Sequence, residues 1–173
     1  GLKVLYPSSP EDAKGLMLAA IEDPNPVMIF EHKALYRSLT GLVSENYYTT
    51  PIGKAKLVNE GDQLSIITYG MGVHWAMNAS EELDLQNIIE VIDLRTLFPL
   101  DEETIMKSVK KTGKCLVLTE ESKDNSFAQA LSGKIQEQCF TYLDAPVMTL
   151  GSENMPAIPL NSTLEQTMIP STK

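Results

Sequence analysis

Few residues in this chain combine the type and spacing that chemistry requires. Asp23 and Asn25 are the clearest pair, set in the turn Glu22-Asp23-Pro24-Asn25-Pro26 just past an expected helix end. The last carbonyls of a helix have no intrahelical partner. Free carbonyls, a carboxylate and an amide oxygen suit a hard monovalent or divalent cation, and they suit an Asx turn without an ion equally well. Tyr69-Gly70-Met71-Gly72 supplies G-x-G after an expected strand, but the place of the third glycine is taken by Trp75. A glycine turn that reverses the chain is therefore the better reading than dinucleotide binding. His32 and His74 stand on different segments with no Cys, Asp or Glu at zinc spacing. No G-x-S-x-G elbow occurs. Glu120-Glu121 follows a strand end, where α/β sheets place active residues, although a solvated acidic loop is the plainer reading. No catalytic and no cofactor-binding residue emerges from spacing alone.

The elements that must carry these residues are legible as an alternation of strands and helices. Leu2 to Tyr6 reads as a short apolar strand, and Ser9-Pro10-Glu11-Asp12 as a capped helix start with Pro at its first position. Ala13, Leu16, Met17, Ala20 and Ile21 follow at helical spacing and form one apolar face. Val27 to Phe30 reads as a strand buried on both faces, which completes a βαβ unit. From Ser38 to about Gly61 the pattern dissolves, which predicts an interdomain linker. Strands then return at Leu64–Thr68, Ile88–Ile92, Cys115–Leu118 and Pro146–Leu150. Helices fall between them at Val73–Leu83, Asp101–Lys111 and Ser126–Phe140, with Asp93–Pro99 left as a loop. This order predicts a parallel sheet with right-handed crossovers. The tail from Asn154 is expected on the surface, with a helical turn near Leu164.

Composition limits the partners. The 173 residues are 43% hydrophobic and 21% charged, which is enough apolar material for a core. A formal net charge of −9 repels phosphate backbones and anionic lipid, so neither nucleic acid nor a membrane surface is expected as a partner. No apolar run approaches the roughly 18 residues a membrane span needs. Cys115 and Cys139 read as reduced core thiols, unspaced for metal. The chain opens directly on an expected core strand, which predicts a fragment of a longer α/β enzyme.

Residues 1–37, GLKVLYPSSPEDAKGLMLAAIEDPNPVMIFEHKALYR, resemble the end of the pyrimidine-binding domain in the β subunit of thiamine-diphosphate-dependent 2-oxo acid dehydrogenases. Ile89 to Glu121, IEVIDLRTLFPLDEETIMKSVKKTGKCLVLTEE, resembles the C-terminal domain of the same subunit, shared with transketolases. YLDAPV at Tyr142 to Val147 and LEQTMIPS at Leu164 to Ser171 are similar to its ending. The resemblance implies an α/β fold in which the last βαβ unit of a pyrimidine-binding domain (1–37) leads through a linker (38–61) to a parallel-sheet transketolase C-terminal-like domain (62–173).

The resemblance also implies a role. The whole enzyme would decarboxylate a branched-chain 2-oxo acid or pyruvate on thiamine diphosphate and Mg and pass the acyl group to lipoyl. This fragment would bind neither group and would be inactive alone, because the matching thiamine-contacting glutamate and catalytic histidine belong upstream. A potassium ion is implied at Ala20 and Ile21, through carbonyls, with Asp23 and Asn25. Implied partners are an α subunit or fused α half, a second β subunit and the lipoyl acyltransferase core, with Asp144 as a docking contact. The implied compartment is the bacterial cytoplasm or the mitochondrial matrix. The chain departs from the pattern at Asn125-Ser126-Phe127-Ala128-Gln129-Ala130, where relatives carry a glycine-rich run, so an ordinary capped helix start is expected there. Rival readings are the C-terminal region of a transketolase or deoxyxylulose-phosphate synthase, and a stand-alone interaction module.

Overall fold

The computed structural model describes residues 1–170; Ser171, in the LEQTMIPS ending, lies outside the described residues. The chain opens with β1 (Lys3–Leu5), α1 (Pro10–Glu22) and β2 (Val27–Ile29). Ser9 caps α1 by accepting from the Asp12 backbone N–H, and Pro10 occupies its first turn, as the residue types require. β1 and β2 pair in parallel with Val4 opposite Met28, and a single-turn helix α2 (Leu35–Ser38) follows.

The apolar face expected on α1 is only partly covered. Leu16 is fully buried, but Met17 is 38% and Ile21 73% exposed. β2, expected to be buried on both faces, is instead an edge strand with Met28 exposed. The physical reason is the same in both places: among the described residues no further layer packs on this side of the unit.

The second sheet has five strands in the order β3-β5-β4-β7-β8. Its centre is parallel: β4 (Leu64–Thr68) lies between β5 (Ile89–Asp93) and β7 (Cys115–Ser122), and β8 (Met148–Ser152) pairs with β7. Helices α3 (Met71–Glu82), α4 (Glu102–Thr112) and α5 (Phe127–Cys139) cross between the strands. α4 starts on an Asp101 cap and stops where Gly113 turns left-handed at φ 70°. Ser126 caps α5, as expected, while Asn125 takes φ 55°, a conformation Asn tolerates better than most residues. Ile67, Ile92, Leu94, Ile105, Val109, Val117, Leu131 and Ile135 form the main core with Cys115 and Cys139. Both cysteines are free and buried, and burial pushes the Cys115 thiol up to about 12. The tail carries one helical turn, α6 (Ser162–Glu165), and buries Met168. No described helix is long and apolar enough to cross a membrane.

Two short strands correct the linear reading. β3 (Lys56–Asn59) falls inside the stretch expected as a linker, yet it pairs antiparallel with β5. β6 (Thr96–Phe98) falls inside the expected loop and pairs antiparallel with β1, giving a first sheet in the order β2-β1-β6. The sheets are thus mostly, not wholly, parallel. Arg95 explains the second case. It reverses the chain at φ 54°, and its guanidinium donates to the carbonyls of Lys54 and Ala55, so the backbone re-emerges alongside β1.

Candidate functional site

The polar residues converge on the seam between the two sheets, at the carboxyl ends of β1 and β5, where open α/β sheets commonly bind. Asp12, 2% exposed on the first turn of α1, accepts a 2.9 Å hydrogen bond from Arg95 Nη1. Lys56 approaches the same carboxylate at 3.6 Å. Ser8 donates its hydroxyl to Asp93 at the end of β5, and the Arg95 backbone N–H donates to the other Asp93 oxygen at 3.0 Å. His74 Nε2 donates to the Ser8 carbonyl at 2.8 Å. Burial raises the Asp93 carboxyl to about 6, against the lowering effect of the Ser8 and Arg95 hydrogen bonds. Ion pairs from Arg95 and Lys56 to α1, with one buried carboxyl, therefore fasten α1 to the larger domain.

Beside this network four rings run across the seam in sequence. Phe30 stacks on Tyr6 at 6.0 Å, Tyr6 meets Tyr69 at 5.3 Å, and Tyr69 meets Phe127 edge-on at 5.8 Å. Tyr6 also fixes the conformation of Gly70. A Cβ at Gly70, whose φ is 56°, would stand 2.5 Å from the Tyr6 ring, so the close approach requires a glycine. His32 Nε2 lies 2.6 Å from Glu120 Oε2. His32 Nδ1 accepts from the Ala34 N–H, which leaves Nε2 as the donor to the carboxylate. The Tyr69 hydroxyl reaches Thr119 at 2.8 Å and donates to Glu121 at 3.1 Å. Burial raises the Tyr6 phenol, with the Glu120 charge adding to it.

Sequence reading missed this assembly. Glu120 was expected in a solvated loop and His32 had no ligand-type residue at zinc spacing, whereas the structure joins them across 88 positions. Asp12 was read only as a capping residue, yet its main partner lies 83 positions away. Glu120 and Glu121 were expected beyond a strand ending at Leu118, but β7 runs on to Ser122 and carries both of them within the sheet.

The residues singled out for an ion lie elsewhere. Asp23 follows α1 directly; one oxygen accepts from the Asn25 N–H at 2.9 Å and the Asn25 amide at 3.0 Å, and the other pairs with Lys3. The Lys3 hydrogen bond, then those from Asn25, hold the Asp23 carboxyl down to about 2. This is an Asx turn closed by an ion pair, with Ala20 half-buried and Ile21 exposed on the preceding turn. Asp144 lies far from both places, exposed, with its backbone N–H donating to Gly113 O at 2.8 Å. Among the described residues no three His, Cys, Asp or Glu side chains gather to hold a metal.

Residues 53–173 match the family described as transketolase, C-terminal domain, and residues 1–38 the transketolase pyrimidine binding domain. The chain is 46% identical over 96% of its length to the 2-oxoisovalerate dehydrogenase subunit beta of Bacillus subtilis, covering 51% of that protein. It is 45% identical over 88% of its length to the pyruvate dehydrogenase E1 component subunit beta of the same organism, covering 47% of it. Thus the chain spans about half the length of the curated relatives it matches. A solved split-gene transketolase, described as an inactive beta4 tetramer, superposes with a TM-score of 0.72 at 21% identity over 96% of this chain and 52% of that one. At that identity the likeness establishes the fold alone.

Proposed function

The chain belongs to the transketolase C-terminal domain family, and on that premise we propose that it is the C-terminal part of the β subunit of a 2-oxo acid dehydrogenase. The observation that carries this reading is 46% identity along nearly the whole chain to a subunit of that name. In the longer protein, thiamine diphosphate and Mg would be held by residues outside this chain, and the exposed Met17, Ile21 and Met28 would be covered by the rest of the pyrimidine-binding domain. This part would serve assembly: it presents an α/β platform to an α subunit and to a second β subunit. Asp144 would contact a lipoyl acyltransferase core, supported by its exposure and by the acidic balance of the chain, which suits a basic partner. The branched-chain substrate class is favoured over pyruvate by the 2-oxoisovalerate relative and by the FEHKALYR segment at Phe30 to Arg37. The proposed compartment is the bacterial cytoplasm.

A potassium ion at Ala20, Ile21, Asp23 and Asn25 is compatible with this reading only if Lys3 yields the Asp23 carboxylate. Lys3 and the ion would then compete for one anion. Lys3→Met in the longer protein should strengthen potassium-dependent stabilisation, and an unchanged potassium dependence would remove the ion from this turn.

The test of the main proposal is a splice. This chain would replace the matching half of the Bacillus subtilis 2-oxoisovalerate dehydrogenase subunit beta, with its α subunit co-expressed. Assembly with α and measurable decarboxylation of 2-oxoisovalerate are expected. A folded splice that neither assembles with α nor turns over would overturn it.

A further inference from the structure

The seam contains a cleft of about 380 Å³ beside the ring ladder and the Glu120–Glu121 carboxylates. Its walls come from five places in the chain: Tyr6 and Phe30 in the opening unit, Tyr69, Leu97, the Glu120–Phe127 region, and the tail through Ile158, Glu165, Met168 and Ile169. Four aromatic rings and three carboxylates line it, and among the described residues no Lys, Arg or His is in the lining. The walls face open space and not one another, since Phe30 remains 46% and Ile158 68% exposed.

Two of the carboxylates are oriented in advance. His32 engages Oε2 of Glu120. The Tyr69 hydroxyl and the Ala128 N–H engage Oε1 of Glu121. Among the described residues these donors leave Oε1 of Glu120 and Oε2 of Glu121 unengaged. The tail closes one side, tied back where the Glu153 N–H donates to Met168 O at 3.0 Å.

Chemistry selects the occupant. An anion is repelled by three carboxylates. A neutral apolar molecule would strip water from those carboxylates and return no charge. A cation with an apolar body gains from ring faces and carboxylates together. We propose that this cleft binds a small organic cation of the alkylammonium or alkylguanidinium class. The ring ladder takes the alkyl body and one face of the charge, and the free oxygens of Glu120, Glu121 and Glu165 accept its N–H groups.

The test titrates the 173-residue chain with butylguanidinium and butylammonium, using the neutral butylurea as control, followed by NMR chemical shifts and calorimetry. Saturable binding of both cations, with shifts at Tyr6, Tyr69 and Phe127, is expected, and butylurea should not bind. Phe30→Leu and Glu165→Gln both alter exposed or half-buried wall residues outside the core, and combined they should weaken cation binding about tenfold. Near-ultraviolet circular dichroism confirms that each variant keeps its fold. If one does not, Glu121→Gln supplies the same readout. Equal affinity for butylurea, absence of saturable binding, or undiminished affinity in folded variants would each refute the assignment.

Discussion

The two regions of this molecule are built from similar sequence patterns and reach different degrees of closure. In the five-stranded domain, β4, β5 and β7 are covered by helices, and Ile67, Ile105, Val109 and Ile135 lose all or nearly all contact with water. In the opening βαβ unit the same apolar periodicity buries only Leu5 and Leu16 fully, while Met17, Ile21 and Met28 stay exposed. The difference lies in what surrounds the elements, since α1 in one region and α4 and α5 in the other all start on Ser or Asp caps. The larger domain closes on itself; the smaller unit is attached by a seam of one strand pairing, a buried ion pair, a buried carboxyl and a row of rings. Burial of an apolar side chain is worth about 1.5–3 kcal/mol, so the region with few buried side chains depends on its attachments.

Substitutions in the two regions should therefore differ most in the core. Ile135→Ala should cost roughly 4 kcal/mol in urea denaturation, the scale for emptying a fully buried aliphatic site. A cost below about 1 kcal/mol would mean the larger domain is not the stable body it is taken to be.

The seam comes next. Arg95→Ala takes from buried Asp12 its main partner, leaving only Lys56 at 3.6 Å as a counter-charge, and also frees the carbonyls of Lys54 and Ala55. Breaking a buried pair from one side typically costs about 3 kcal/mol. The loss should appear first as proteolysis within α1 while β4, β5 and β7 resist. Simultaneous loss of both regions would show that they form one cooperative unit.

Titration separates the two regions by sign. Asp93 in the folded protein keeps its proton to about pH 6, whereas an unfolded Asp releases it near 3.9. Between those values the folded state binds more protons, so stability is lost as pH rises from about 4 to about 6, by roughly 2–3 kcal/mol. Asp93→Asn keeps an acceptor for Ser8 and should flatten that limb. Asp23 behaves oppositely: held down to about 2, it supports the fold above about pH 4 and loses that contribution as pH falls toward 2. Denaturation midpoints followed across both windows should show the two slopes. A single monotonic slope would contradict the assignment of Asp93.

The smallest effect is expected on the open face of α1. Ile21→Ser changes a residue that is 73% exposed and should move stability by less than about 0.5 kcal/mol. A cost several times larger would mean that this face is covered in solution.

The sequence disclosed the elements whose causes are local. Ser9, Asp101 and Ser126 cap helices because each precedes an apolar periodic run, Gly113 ends α4 because it can turn left-handed, and the apolar runs of β4, β5 and β7 are central strands. The turn at Asp23 and Asn25 was legible as an Asx turn for the same reason. Partners distant in the chain were not legible. β3 and β6 are strands only because β5 and β1 lie beside them, and three or four residues carry too little alternation to declare it. The meeting of His32 with Glu120, and of Asp12 with Arg95, follows from a sheet topology that no spacing rule encodes. The apolar face of α1 was read correctly, while Val27 to Phe30 was read wrongly as buried on both faces, because an apolar run reports what an element can bury and not what is present to bury it.

Amide hydrogen exchange, resolved by peptide along the unmodified chain, tests the contrast between the regions most directly. Amides of β4, β5 and β7 should exchange only through global unfolding, while those of β1, α1 and β2 should exchange faster through separate opening at the seam. Equal protection in both regions, falling together in denaturant, would contradict the account.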